Sequence, residues 1–285
     1  MLPVRINQLF ISALLTLTAV PLASADINSA MSSMENAANP LLLLNSSQGN
    51  IYIELFPDEA PENIQNILDL TAGNVPLFDE DGNESLLPYY DGVRFHRVIP
   101  GFVVQAGSPV LHQLGAPQRR LNDEINADFL GMNAMPAVNP DGTFHPVLNV
   151  TSEASFANAV LRPLYRDMNI DAAGDVQRRQ YDISDRIRGM TVKDVLENQG
   201  YRYTYAGPSR AVTRGVVALA NKGPDSNGPE FFIALQDAPW LTGRHTVIGR
   251  IVEGMSVIDS IGRFAIDPLQ DLRSAAVIYS AERVN

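Results

Sequence analysis

The chain has no cysteine in 285 residues, which removes disulfide frameworks, thiolate zinc ligands, thiol nucleophiles and a lipid-bearing cysteine together. Histidine is scarce, and the four that occur, His96, His112, His145 and His245, do not fall at metal-ligand spacing. Basic charge is also short, with 21 Lys and Arg against 32 Asp and Glu and a net charge of -11. Without a basic stripe to neutralise phosphates, neither nucleic acid nor an anionic membrane is expected as a partner. The Arg119-Arg120 and Arg178-Arg179 pairs read as solvated surface. No GxGxxG or Walker loop and no GxSxG elbow is present, so neither a cofactor nor a metal is predicted.

One long apolar run does occur, from Leu9 to Val20, preceded by the single basic residue Arg5 and followed by Ala23-Ser24-Ala25. Its length falls short of the roughly 20 residues that span a bilayer. A basic start, a short apolar stretch and a small-x-small site predict a signal peptide over residues 1–25, cleaved after Ala25. The mature protein is then expected to be periplasmic or secreted and not embedded in a membrane. Residues 26–40 are small and polar without apolar periodicity and read as a flexible linker. The folded domain is expected over residues 41–285.

Within it, Leu41–Leu44 and Asn50–Phe56 flank the turn cluster Ser46-Ser47-Gln48-Gly49 and predict a β-hairpin. Pro61 at a helix start, Ile64, Ile67, Leu68 and Thr71 at three- and four-residue spacing, and a stop at Gly73 predict an amphipathic helix. Asn74–Tyr90 reads as a surface loop. Val93–Ile99, Phe102–Ala106, Gly215–Ala220, Phe231–Leu235 and His245–Val252 are strand candidates, and Met255–Phe264 a second helix. Many short strands with two flanking helices predict a mainly β fold, a closed barrel capped at its ends. Residues from about 125 to 210 carry helix signals instead, clearest at Thr191–Gly200, where Thr191 and Asp194 form a capping-box-like start. They read as a helical insertion in one loop.

Two segments stand out chemically: Val93-Arg-Phe-His-Arg-Val-Ile-Pro-Gly-Phe-Val-Val-Gln105 and Ala220-Asn-Lys-Gly-Pro-Asp-Ser-Asn-Gly-Pro-Glu-Phe-Phe-Ile233. Strand alternation sets Arg97 on one face with Val93, Phe95 and Ile99, and turns His96 away from that face, toward a structural role. Alternation alone leaves Arg97 open to a structural salt bridge with an unseen carboxylate.

FHRVIPGFVVQAG, LANKGPDSNGPEFFIAL and WLTGRHTVIGRIVEGMSVID follow one another, with IYIELFPDEAPENIQNILDL near the start. In order and spacing these strings resemble the cyclophilins, from about Leu41 to the end apart from the insertions. The resemblance implies a closed eight-stranded antiparallel barrel and peptidyl-prolyl cis/trans isomerase activity on proline-containing polypeptides, assisting the folding of exported proteins. It implies Arg97 as the catalytic residue. Phe102, Val103, Phe232 and Leu241 line a proline pocket, with His245 at its edge. Gln105 and Asn221 hold the substrate backbone, Asn221 through its main chain, and Ala220 and Lys222 flank it on the rim. Trp240, the only tryptophan, implies cyclosporin binding through its indole N–H.

The sequence departs from the family at Glu230, where Gln is usual, at Lys222, where a small residue is usual, and along Gln105-Ala-Gly-Ser-Pro109. A cyclophilin-fold chaperone or binding module with little activity is the alternative, its insertion docking a partner. A carbohydrate-binding β-sandwich would present aromatics on a flat face, whereas the aromatics here gather in the isomerase motifs.

Overall fold

The computed structural model describes residues 25–270 and 272–285. The candidate signal peptide therefore lies outside the described residues, apart from Ala25. Eight strands make one antiparallel sheet: β1 (Leu41–Ser46), β2 (Gly49–Leu55), β5 (Arg97–Ile99), β6 (Val103–Ala106), β7 (Val216–Leu219), β8 (Phe231–Ala234), β9 (Val247–Glu253) and β10 (Ile278–Arg283), ordered β10-β1-β2-β9-β7-β8-β6-β5. A two-stranded ribbon, β3 (Leu77–Phe78) with β4 (Glu84–Ser85), sits in the stretch expected to be loop.

The sheet curls but does not close into the expected barrel. Its edge strands β5 and β10 share no ladder; the gap between them is crossed by one bridge, Arg94 to Val277, and by main-chain bonds such as Phe95 N–H to the Ala276 carbonyl at 2.9 Å. The physical reason is that the segment before β5 enters the pairing too briefly. Val93–Phe95 bond to Ala276–Ile278 without forming a named strand, and only Arg97–Ile99 forms the ladder with β6.

Helix α2 (Pro61–Ala72) starts on its proline and stops at Gly73, whose φ of 73° only a residue without Cβ adopts easily. Ile64, Ile67 and Leu70 of α2, with Val257, Ile258 and Ile261 of the last helix, α8 (Met255–Ile261), bury their apolar stripes in the main core beside Ile51, Ile53, Phe95, Val104, Val217 and Ile248. Fully burying such side chains stabilises by about 1.5–3 kcal/mol each before entropy is counted.

Residues 26–40, expected to be flexible, are ordered onto the sheet. Ile27–Ser32 form helix α1, with Ala30 fully buried. The cause is tertiary. Glu54 of β2 is wholly buried, and its carboxylate accepts from Glu35 N–H, Asn36 N–H and Asn39 Nδ2 at 2.9–3.0 Å, with Arg250 Nε 3.3 Å away. A buried charge is tolerable only when surrounded by donors, and the segment after Ala25 supplies them.

Between β6 and β7, where the sequence predicts an insertion, the chain is helical. It runs through α3 (Glu153–Phe156), a π turn over Ala157–Leu161, α4 (Arg162–Asp167), α5 (Ala173–Arg178), α6 (Gln180–Gly189) and α7 (Val192–Asn198). Thr191 caps α7 as its sequence indicates: its side chain accepts from Asp194 N–H, and the Asp194 carboxylate accepts from Thr191 N–H. Its apolar residues, among them Met132, Val160, Leu164, Val195 and Leu196, form a core of their own. The main core has no buried member between Ala106 and Val212.

Candidate active site

Strand register puts the central side chains in one row. Across β5, β6, β8 and β7, Arg97 stands opposite Gln105, Gln105 opposite Phe232, and Phe232 opposite Ala218. Directly opposed residues face the same side of a sheet. A guanidinium, an amide and an aromatic ring are therefore set side by side by the pairing alone.

Arg97 Nη1 donates to Gln105 Oε1 at 3.1 Å, and no carboxylate of the described residues lies within ion-pair distance of it. The structural salt bridge that alternation leaves open is not formed. Gln105 Nε2 donates in turn to Glu230 Oε1, which also lies 2.9 Å from His96 Nε2. Because an ionised carboxylate only accepts, Glu230 fixes which end of the Gln105 amide faces which way, and the oxygen is left for Arg97. Burial alone would push the Glu230 carboxyl up, but hydrogen bonds from His96 and Gln105 and the nearby charges of His96 and Lys222 hold it below the ordinary value. His96 is buried and reaches Arg97 only through Glu230 and Gln105.

Beside this chain lie the apolar groups. Val103 and Phe232 are buried, and Phe102 and Leu241 are partly exposed. Phe102 packs on Trp240 with ring centroids 5.8 Å apart, and Phe232 meets the His245 ring edge-on at 5.2 Å. His245 donates Nδ1–H to the Leu219 carbonyl at 2.9 Å, so its Nε2 carries no proton in the neutral ring. Burial holds its pKa down, partly offset by that hydrogen bond and reinforced by the Arg244 charge. A neutral imidazole completes an apolar wall better than an imidazolium.

The segment after β7 forms the other rim. Ala220 N–H is tied to the Glu230 carbonyl at 2.9 Å, and the Asn221 side chain donates to the Arg244 carbonyl at 2.8 Å. Among the described residues the Asn221 main-chain N–H has no hydrogen-bond partner. Lys222 is exposed. Gly107 matters for closeness: at φ 83°, a Cβ there would lie 2.5 Å from the Pro229 carbonyl oxygen, so only glycine lets the strand after Gln105 pass this near Glu230.

A cavity of about 530 Å³ opens between Gln105 and Glu230 on one side and Ala220–Lys222 on the other, with Arg119 and Arg120 on its rim. The sequence reads that arginine pair as plain surface, and nothing local distinguishes it, since most of the residues it faces, from Ala220 to Glu230, lie about a hundred positions away. Of the predicted residues, the sheet brings Arg97, Gln105 and Phe232 together. Trp240 and Leu241 join from a 3₁₀ turn (Pro239–Leu241), and Trp240 also faces the insertion. Glu230 and His96 are the members whose partnership sequence reasoning did not identify. Among the described residues there is no group of three acidic, histidine or cysteine side chains placed to hold a metal, and no helix is long and apolar enough to cross a membrane.

Comparison with known proteins finds isomerases among the relatives. A peptidyl-prolyl cis-trans isomerase B of Streptomyces anulatus is 26% identical over 80% of this chain and 86% of its own, and the isomerase ppi1 of Schizosaccharomyces pombe is 25% identical over 82% and 97%. A solved cyclophilin-type isomerase of Cryptosporidium parvum aligns with 87% of this chain and 98% of its own at 17% identity and a TM-score of 0.47. The model of the family "Cyclophilin type peptidyl-prolyl cis-trans isomerase/CLD" matches residues 41–283, and the chain belongs to that family.

Proposed function

We propose that this isomerase acts on X-Pro bonds of exported polypeptides, with Arg97 as its catalytic residue, and so assists their folding in a periplasm or outside the cell. The bond resists rotation by about 18–20 kcal/mol because the nitrogen lone pair is delocalised into the carbonyl. At the perpendicular geometry that lone pair returns to a pyramidal nitrogen. A guanidinium aimed at it binds the twisted amide more tightly than either planar form, which is what lowers the barrier. The observation that carries this reading is the setting of Arg97: steered by Gln105, without a carboxylate of the described residues in ion-pair distance, and in one row of the sheet with Phe232.

Phe102, Val103, Phe232, Leu241 and His245 grip the proline ring so that one side of the bond stays still while the other turns. Gln105, the Asn221 N–H, Ala220 and Lys222 hold the chain along the rim. Main-chain contacts of this kind read shape more than sequence, which suits many clients. Trp240, partly exposed above Phe102, offers its indole N–H to cyclosporin. Export rests on the sequence of residues 1–25.

The test is a protease-coupled isomerisation assay on a short Ala-Pro-Phe peptide. Wild type accelerates the slow phase, and a folded Arg97→Ala variant loses about 10²–10³-fold, the cost of removing one transition-state donor. An Arg97→Ala variant with wild-type kcat/KM would remove Arg97 from the mechanism.

A further inference from the structure

The insertion touches the site along one seam. Arg244 donates Nη1 to the Val147 carbonyl at 2.7 Å and to the Trp240 carbonyl at 2.8 Å, so one guanidinium ties the 3₁₀ turn Pro146–Leu148 to the turn that carries Trp240 and Leu241. Beside this tie opens a groove of about 520 Å³. One wall is Trp240 and Leu241, the residues set against the proline pocket; the other comes from α3, α4 and the turn between them, with Asn158 and Arg166 facing in. The groove thus borders the turn whose Trp240 packs on Phe102.

Its charge is opposite in sign to the net charge of the chain. The chain carries 32 acidic side chains and a net charge of -11, yet no carboxylate lines this groove, while Arg166 and Arg244 both do. Arg244 is spent on the two carbonyls. Arg166 is exposed, in the last turn of α4, and has no ion-pair partner among the described residues. An unpaired cation with no carboxylate beside it in the groove attracts anions to that spot.

We propose that the insertion gives this isomerase a second contact with its client: the groove receives the polypeptide segment running on from the bound proline and favours an acidic side chain there, its carboxylate meeting Arg166. This rests on the isomerase reading above. The extent of the preference follows from exposure. A solvated ion pair discriminates by about two- to fivefold in affinity, not by orders of magnitude.

The experiment uses proline-centred peptides carrying Asp or Lys at successive positions up to about six residues from the proline, roughly 20 Å of extended chain. Binding is read from Trp240 fluorescence and turnover from two-dimensional exchange NMR, for wild type and for Arg166→Glu with an unchanged circular dichroism spectrum. The expected result is a two- to fivefold tighter Kd and lower KM for Asp at one or more positions, lost or reversed in Arg166→Glu. Turnover of the short Ala-Pro-Phe peptide, which does not reach the groove, stays at the wild-type value. Equal binding of Asp and Lys peptides at every position, or an Asp preference that survives Arg166→Glu, overturns the proposal. Absence of short-peptide turnover in wild type would instead defeat the isomerase reading, and the fluorescence titration would still decide the groove.

Discussion

Replacing Glu230 with alanine tests whether Arg97 is positioned from a distance. The substitution removes an acceptor for Gln105 Nε2 and for His96 Nε2 while leaving Arg97, Gln105 and the apolar side chains beside them in place. Each of the two hydrogen bonds ends on a charged group and is worth about 1.5–3 kcal/mol when lost from a buried site. The Glu230 side chain is 22% exposed, so water replaces part of this. We expect a loss of about 2 kcal/mol in folding stability from a denaturant titration. The catalytic effect is separate: once the Gln105 amide is free to turn, Arg97 loses its oriented acceptor for part of the time, at about 1 kcal/mol or a fivefold drop in kcat/KM. The split matters. Loss of orientation lowers kcat, whereas loosening of the pocket raises KM. Glu230→Gln restores an acceptor to Gln105 and is expected to recover most of the rate. It is also expected to remove one pH effect: the Glu230 carboxyl sits below its ordinary value in the fold, so its contribution is present above about 4.5 and is lost as pH falls through the depressed folded value. Full activity in Glu230→Ala, or Glu230→Gln as poor as the alanine variant, would refute the positioning chain.

Three further outcomes are expected. Glu54→Ala leaves buried donors around residues 35–39 without an acceptor and should cost about 3–5 kcal/mol, with amide exchange across residues 26–39 rising before that of β2; unchanged exchange there would mean that Glu54 does not hold the segment. His245 has a depressed folded pKa, so the unfolded chain takes up a proton first, and stability should fall as pH drops below about 6.5, more steeply than in His245→Gln; parallel profiles would contradict its neutral state. Trp240 is the sole indole and packs against Phe102 with its ring tilted by 32°, so a bound proline peptide or cyclosporin should change its emission. A saturating proline peptide that leaves the spectrum untouched would place the site elsewhere.

Elements whose own residues carry a period are legible in the amino-acid sequence. The β1–β2 hairpin, α2, β6, β8, β9, α8 and the capped α7 fall within a few residues of where their apolar spacing puts them. Others are made by partners. β10, Ile278–Arg283, alternates weakly and becomes a strand because β1 lies beside it. Residues 26–40 lack periodicity, and their order comes from a carboxylate on β2. The candidate site divides in the same way. Arg97, Gln105 and Phe232 share a face once the strands pair, and the family strings point to them. The link from His96 through Glu230 joins residues 134 positions apart, and no spacing rule could supply it.

The separate core of the insertion bears on how the chain finds its sheet. β6 and β7 both pair with β8, yet β6 ends at Ala106 and β7 begins at Val216. Closing a slack loop of roughly 110 residues is an entropic cost that grows as the logarithm of its length. If the residues from Ala127 to Tyr201 collapse first around their own core, the slack that remains is only about 30 residues, which lowers the closure cost by about 1 kcal/mol, or about a sixfold gain in rate. Variants that loosen Val195 or Leu196 would then slow the assembly of strands they never touch.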